Sequence, residues 1–187
     1  KMTKTKYAGS DHVNDVAWHM ENSERTVQPI GQKRPNELGL YDMSGNAREW
    51  CQDWFATYEG NNLTDPQGPK SGVYRVVRGG GAMQPSRTTR VSFRNGYAVN
   101  EAFADLGLRL VRVANSLDNM PVKKREISMK EPTLRFEVGD VSFTMVKVPS
   151  GTFVMGATAE QGEEIYDWEK PKHYVTVSDF YIGQTEV

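Results

Sequence analysis

Apolar and polar residues alternate at strand spacing in several short runs of this chain. Glycine, proline and asparagine clusters separate these runs from one another. The stretch from 46 to 55 fits neither a helical nor a strand period, so both interpretations stay open there. The pattern therefore predicts many short strands, much loop and little helix, with strands in the runs 73–81, 89–95, 106–113, 141–148, 152–155 and 173–183.

Two stretches lack any regular period and divide the chain. Residues 1–38 mix turn formers with isolated apolar residues, which predicts irregular structure. Residues 114–135 are polar, contain two prolines and include the basic run Lys-Lys-Arg at 123–125, which is typical of a linker. We therefore expect one unit over 1–113, a linker over 114–135 and a second unit over 136–187. Both ends resemble cuts in a longer protein.

Charge and composition exclude several classes of function. The chain has 187 residues, with 23 Lys and Arg against 24 Asp and Glu, which gives no reason to expect a nucleic-acid or membrane-surface partner. No apolar run approaches the roughly 20 residues that span a bilayer. The single cysteine, Cys51, excludes an internal disulfide framework and a CxxC zinc site. The three histidines form no HExxH or HxH pattern, so a zinc or non-haem iron site is not predicted.

The stretch GLYDMSGNAREWCQDWF, residues 39–55, spaces two acidic residues around a glycine. Calcium takes six to eight oxygen ligands from carboxylates and backbone carbonyls. Asp42 and Glu49 offer carboxylates, and Gly45 allows the turn that points carbonyls inward. The alternative is an ordinary Ser-Gly-Asn turn whose Asp42 and Glu49 bond to nearby backbone.

Three blocks in this order resemble one known family. GLYDMSGNAREW, RGGG and LGLR, over residues 7–113, resemble the C-terminal half of the formylglycine-generating enzyme, or sulfatase-modifying factor, family. The stretch MVKVPSGTFVMG, followed by HYVTVSDFYIGQTEV, resembles the opening of the same domain. The resemblance implies a tandem bacterial protein sampled across its junction, or alternatively a permuted unit in which 136–187 pairs with 1–113. It also implies an α+β, C-type-lectin-like fold that is rich in strands and loops, with little helix.

The resemblance also implies that the family's calcium site is present and that its copper site is lost. The family binds a structural calcium ion at positions that match Asp42, Gly45, Ala47 and Glu49. Active members hold Cu(I) with two cysteines, and the matching positions here are Gln84 and Thr89. Because Cu(I) requires soft thiolate donors, we expect no copper and no formylglycine-generating activity.

Several side chains allow two interpretations each. Arg87, Arg90 and Arg94, with Gln84 and Thr89, match a surface groove of the family and are candidates for binding a ligand, or they form a solvated face with salt bridges. Glycines 79–81 either cradle an anion or allow close packing. The aromatic residues after Glu49 indicate core, with sugar stacking as the alternative, and Cys51 indicates a small buried apolar residue. These aromatic residues are Trp50, Trp54 and Phe55.

Three functional hypotheses follow. The chain is part of a formylglycine-generating oxidase, a catalytically silent module for ligand or protein binding, or a partner subunit of a cell-envelope machine. The intact framework blocks and the missing cysteine pair favour the silent binding module, with an unidentified protein or small molecule as its ligand. We expect the cell envelope or export rather than the cytoplasm.

Overall fold

Short strands dominate the computed structural model, which describes residues 5–113, 132–138, 141–162 and 165–187. In these ranges the strands are β1 (Arg48–Trp54), β2 (Leu63–Thr64), β3 (Tyr74–Arg78), β4 (Asn95–Ala98), β5 (Leu106–Leu108), β6 (Val111–Val113), β7 (Thr133–Val138), β8 (Val141–Val148), β9 (Gly151–Met155), β10 (His173–Val177) and β11 (Phe180–Gly183).

Helical structure is limited to a few turns in the described part of the chain. The α-helix α1 covers Val13–Val16, and 3-10 turns cover Ser86–Thr89, Ala159–Gln161 and Asp167–Glu169. None of these described helices has the length and apolar character needed to cross a bilayer. The expected fold, rich in strands and loops with little helix, is confirmed.

The first sheet has the order β4-β3-β1-β5 and comes entirely from the first part of the chain. Strand β1 runs antiparallel to β3, with Trp50 opposite Val77, and parallel to β5, with Glu49 opposite Gly107. Hydrogen bonding on both sides explains why the ambiguous stretch from 46 to 55 contains a strand rather than a helix. In β3, Val76 and Val77 are both buried, as expected of an interior strand.

The other two sheets combine strands from both parts of the chain. The second sheet has the order β2-β10-β9, and Leu63 of β2 lies opposite Val175 of β10 in a parallel pair. The third has the order β6-β11-β8-β7, and Val111 of β6 lies opposite Ile182 of β11 in an antiparallel pair. Residues 132–187 therefore pair with residues 5–113 through main-chain hydrogen bonds in two separate sheets.

A small apolar cluster lies on the third sheet. It contains Leu134, Met145 and Tyr181, with Phe136 and Phe143 packed against it and stacked at 5.1 Å between ring centroids. Because β7 begins at Thr133, the predicted linker is wrong for 133–135, whereas 114–131 lie outside the described residues. The apolar face of β7, which pairs with β8, explains this earlier start.

Other strand predictions differ from the structure in their boundaries. The expected strand over 89–95 is wrong, since a strand begins only at Asn95. Thr88 and Thr89 donate their hydroxyls to the carbonyls of Pro85 and Ser86, both at 2.8 Å, which favours a turn. The runs 106–113 and 173–183 are each divided between two sheets.

Candidate functional site

The loop that precedes β1 has an unusual backbone. Asp42, Gly45 and Asn46 have φ angles of 53°, 82° and 61°, in the left-handed region that favours glycine. A Cβ on Gly45 would overlap the main-chain oxygen and nitrogen of Trp18. The main-chain N–H of Asn46 donates to that same oxygen at 2.9 Å. The loop is therefore pressed against the main chain at Trp18, and only glycine fits at its closest point.

Asp42 carries a buried oxygen atom with no partner. The residue is 1% exposed, and its Oδ2 accepts a hydrogen bond of 2.7 Å from the amide of Gly31. Its Oδ1 is buried and has no hydrogen-bond partner among the residues that the structure describes. Burial raises the pKa of Asp42, although the Gly31 amide and the charge of Arg109 oppose this effect.

Glu49, at the start of β1, forms an ion pair with Arg109. Its Oε1 accepts hydrogen bonds from Nε and Nη2 of Arg109 at 2.9 and 2.6 Å. Burial raises the pKa of Glu49, Arg109 opposes that rise, and the nearby Asp42 adds to it. Arg109 also donates to the carbonyls of Tyr41 and Gly183, both at 3.0 Å, so it holds three parts of the chain together.

Glu186 also belongs to this cluster, and neither Glu186 nor Arg109 was predicted from the sequence as a site residue. Glu186 accepts a hydrogen bond of 2.8 Å from Nδ2 of Asn46 and lies 3.4 Å from Nη2 of Arg109. Burial and the charge of Asp42 raise the pKa of Glu186 to about 7. Arg109 was the one sequence signal that could have indicated such a cluster. It lies inside the apolar run LGLRLV, and a buried arginine requires acidic partners. Nothing in the sequence connected Glu186 to residues 140 positions earlier.

The four predicted calcium positions lie in the loop before β1 and at the start of β1. Asp42 and Glu49 offer carboxylate oxygens, as calcium prefers, and Gly45 and Ala47 are buried beside them on the same loop. The Oδ1 of Asp42 accepts no hydrogen bond within the described residues, which leaves this oxygen free to act as a ligand. No group of three His, Cys, Asp or Glu side chains that could hold a metal occurs in the described ranges. The predicted set has only two carboxylates and two backbone oxygens, so calcium binding stays a prediction.

The triple glycine before Gln84 packs closely against its neighbours. A Cβ on Gly80, whose φ is 66°, would lie 2.7 Å from the carbonyl carbon of Thr88. A Cβ on Gly81 would overlap the carboxylate of Asp105, which pairs with Arg48. These contacts support the packing interpretation for Gly80 and Gly81.

The chain matches the family model described as the sulfatase-modifying factor enzyme 1-like domain over residues 2–114. The chain belongs to this family. It is 33% identical to the chaperone protein LppX of Paenibacillus barcinonensis, over 57% of this chain and 41% of that protein. It is also 35% identical to the formylglycine-generating enzyme of Streptomyces coelicolor, over 56% of this chain and 33% of that enzyme. The chain therefore spans less than half the length of these relatives.

One solved structure supports the fold. Treponema denticola variable protein 1 is similar with a TM-score of 0.55 and 34% identity, over 57% of this chain and 40% of that one. The expected C-type-lectin-like fold of the family is thus confirmed, together with the family resemblance of the three blocks.

The two positions that match the family's copper cysteines hold no sulfur. Gln84 is half-buried, its main-chain N–H donates to the carbonyl of Gly81 at 2.9 Å, and its main-chain carbonyl accepts from the N–H of Met20. Thr89 is 0% exposed, and its hydroxyl donates to the carbonyl of Ser86 at 2.8 Å. The side-chain amide of a glutamine, and a threonine hydroxyl that already donates to a carbonyl of its own turn, do not fit Cu(I), which requires soft donors.

The predicted ligand groove is largely interior. The structure buries Thr89, Arg90 and Arg94, so the expectation that this segment faces solvent is wrong for these three residues. Arg94 donates to the carbonyl of Ala56 at 2.6 Å, and Arg90 pairs with a carboxylate. Arg87 is exposed, and a ligand role for it and for the half-buried Gln84 stays a prediction.

The aromatic residues after Glu49 are less buried than expected. Trp50, Trp54 and Phe55 are half-buried rather than core, and the register between β1 and β3 shifts between Trp50 and Trp54. Trp50 and Cys51 line a cleft of about 260 Å³. Burial raises the pKa of Cys51 to about 11, which disfavours its thiolate and a role as a nucleophile.

Proposed function

We propose that this chain is a sulfatase-modifying-factor module that does not generate formylglycine and acts in protein or ligand binding. One observation carries the proposal: the family's two copper positions hold Gln84 and the fully buried Thr89. The alternative, a part of a formylglycine-generating oxidase, requires paired soft donors at these positions.

Cys51 does not replace the missing pair. It lies on β1, whereas Gln84 and Thr89 lie around the 3-10 turn Ser86–Thr89, and it is the one cysteine of the chain. A single thiol whose pKa is raised by burial supplies neither two sulfur ligands nor a ready thiolate.

The activity assay uses the purified chain, Cu(I) and a peptide that carries a sulfatase-type cysteine. We expect no copper-dependent conversion of that cysteine to formylglycine, measured by mass spectrometry, while an active family enzyme converts the same peptide in parallel. Copper titration of the chain and its Cys51→Ser variant shows whether any Cu(I) is held by that thiol alone. Copper-dependent conversion by the chain would overturn the proposal.

A protein-binding role is favoured by one relative, since the Paenibacillus protein is described as a chaperone. The test dilutes a chemically unfolded protein in the presence of the chain and follows light scattering. Reduced scattering, relative to an unrelated protein of equal size, supports binding of unfolded polypeptide. Unchanged scattering rejects binding of unfolded polypeptide. It does not affect the proposed absence of formylglycine-generating activity, which the copper assay tests separately.

We further infer a structural role for calcium at Asp42, Gly45, Ala47 and Glu49. The unpartnered Oδ1 of Asp42 and the buried carboxylate of Glu49 support this inference. Such an ion stabilises the loop before β1 and supplies no chemistry to the copper positions.

A further inference from the structure

The cleft on the first sheet combines apolar side chains with one guanidinium. It has a volume of about 260 Å³ and is lined by Trp50, Cys51, Arg75 and Val99. Val99, which follows β4, is 65% exposed, so the cleft opens to solvent. Its volume lies below the roughly 300–1,000 Å³ of pockets for drug-sized ligands. The cleft therefore suits one small ring rather than an extended molecule.

Two contacts hold the guanidinium of Arg75 in place at this cleft. Its Cζ lies 3.6 Å from the ring centroid of Trp54, the residue opposite it on β1. Its Nη1 donates to the main-chain carbonyl of Gln52. A side chain that is already ordered loses little further freedom when a ligand binds. Arg75 is therefore positioned in advance for a ligand.

The other side of that guanidinium has no partner in the described part of the chain. The Nε and Nη2 of an arginine present two parallel N–H groups that match a carboxylate. Among the described residues, the one hydrogen bond of Arg75 comes from Nη1, so this pair of N–H groups donates to nothing. Arg109 uses the same two nitrogens to hold the carboxylate of Glu49, at 2.9 and 2.6 Å. Arg75 can hold a carboxylate from outside the chain in the same way.

Positive charge predominates around the cleft. Burial raises the pKa of Asp53, and three nearby guanidinium groups oppose that rise. These groups belong to Arg78, Arg94 and Arg75. None of the three forms a salt bridge within the described ranges. Three guanidinium groups against the single carboxylate of Asp53 favour an anionic ligand.

The rest of the lining is apolar. The indole of Trp50 and the side chain of Val99 offer contact area to a flat group. Burial raises the pKa of Cys51 to about 11, so its thiol is neutral near pH 7 and acts as a small apolar group. A ligand that uses the whole lining carries both a ring and an anionic group.

We propose that this cleft binds an aromatic carboxylate, with the carboxylate on Nε and Nη2 of Arg75 and the ring against Trp50 and Val99. The inference rests on the binding role proposed above and deepens it by naming the chemistry of the ligand. Two sources can supply that chemistry: a free aromatic acid, or the C-terminal aromatic residue of a polypeptide. The cleft is separate from the predicted groove around Gln84 to Arg94.

The first test titrates the purified chain with phenylacetate and with the uncharged 2-phenylethanol, and follows the Nε–H resonance of Arg75 by NMR. Phenylacetate should bind about tenfold more tightly or better, and it should shift that resonance. Equal binding of the two compounds, or no binding of phenylacetate, would overturn the proposal. Neither result changes the outcome of the copper or light-scattering assays, so a failure here is distinct from a failure of the proposed function.

A peptide distinguishes the two sources of the ligand. Gly-Gly-Phe with a free C-terminus should bind, and its C-terminal amide should not, because the amide lacks the second carboxylate oxygen and the charge. Binding of Gly-Gly-Phe that is tighter than that of phenylacetate supports a polypeptide end. Weaker binding supports a free acid, and equal binding of the peptide and its amide would contradict the role of Arg75.

Variants place the binding at this cleft. Arg75→Gln should weaken phenylacetate binding by about tenfold or more, whereas Arg135→Gln, at an exposed arginine on β7, should leave it unchanged. Val99→Asp keeps the test decisive if Arg75→Gln fails to fold, because Val99 is exposed. Its new carboxylate should repel the ligand, and Val99→Asn is the uncharged control. Wild-type affinity in both Arg75→Gln and Val99→Asp would overturn the proposal.

Discussion

The guanidinium of Arg90 and the carboxylate of Glu169, 79 positions apart, form a buried pair with two hydrogen bonds of 2.9 Å. The hydroxyl of Ser92 donates to the same carboxylate at 2.7 Å. Burying two charges is costly, and the cost is offset only where geometry and additional hydrogen bonds are good. This pair therefore connects the two parts of the chain at a second point, separate from the Glu186 cluster.

Removing one partner of this pair should be strongly destabilising. Arg90→Met leaves the carboxylate of Glu169 buried without a counter-charge, so we expect a loss of about 3–5 kcal/mol in the free energy of unfolding. Urea denaturation measures the change. Asp167→Asn, at an exposed pair with Lys170, is the matched control and should cost about 0–1 kcal/mol.

The double variant Arg90→Met with Glu169→Leu tests the reason for that loss. It leaves no unpaired buried charge, so it should be more stable than Arg90→Met alone. If both variants are as stable as the control, the Arg90–Glu169 pair does not hold the two parts together.

The sequence predicted strands where local alternation was decisive. Strand β8 covers the expected 141–148, and β3 ends at the glycines as expected, because each pattern is set by its own side chains. The strand expected over 89–95 failed because Thr88 and Thr89 bond back to the main chain. The run 173–183 was divided because its two halves pair with different partners, which only the tertiary structure determines.

The candidate site was predictable only where its residues lie close in sequence. The spacing from Asp42 to Glu49 identified the loop, and Gly45 is needed there for the close contact with Trp18. Glu186 was not predictable, since its position depends on pairing between distant strands. The burial of Arg90 and Arg94 was missed for the same reason: their partners lie in other segments.

Comparing alanine substitutions at Gly45 and Gly39, which have similar φ angles, separates the steric effect of a Cβ at Gly45 from the effect of its φ angle. Gly45→Ala and Gly39→Ala both place a side chain at a left-handed φ, 82° and 77°, which costs about 1–2 kcal/mol each. Only at Gly45 does the added Cβ overlap the main chain of Trp18, since Gly39 has nothing within 4 Å. We expect Gly45→Ala to be the less stable by a further 1–3 kcal/mol, roughly, in urea denaturation. Equal losses would contradict the tight contact at Trp18.

The exposed contact between Asp65 and Ser178 should be visible in titrations. The main-chain N–H and the hydroxyl of Ser178 both donate to Asp65 at 2.7 Å. Both bonds lower the pKa of Asp65, and the bond from the hydroxyl has the larger effect. Because the folded pKa lies below the unfolded value, the contact stabilises above the unfolded pKa and is lost as pH falls through the folded pKa. NMR titration should find the pKa of Asp65 raised in Ser178→Ala.

The neighbouring Asp179 serves as the internal reference for that titration. The ammonium of Lys147 and the amide of Ser150 lower the pKa of Asp179, and neither is removed by Ser178→Ala. Its pKa should therefore stay low while that of Asp65 rises. Equal changes at both residues would indicate a general disturbance of the loop rather than loss of one contact.

Cys51 should react slowly in the folded protein, although it lies beside a cleft. Burial raises the pKa of its thiol to about 11, so the reactive thiolate is scarce near neutral pH. Alkylation by iodoacetamide, followed by mass spectrometry, should accelerate with pH up to about 11 in the folded chain. In urea the same thiol should titrate near its ordinary pKa of about 8.5. A folded-state rate that levels off near pH 8 would show a stable thiolate and would reopen a chemical role for this residue.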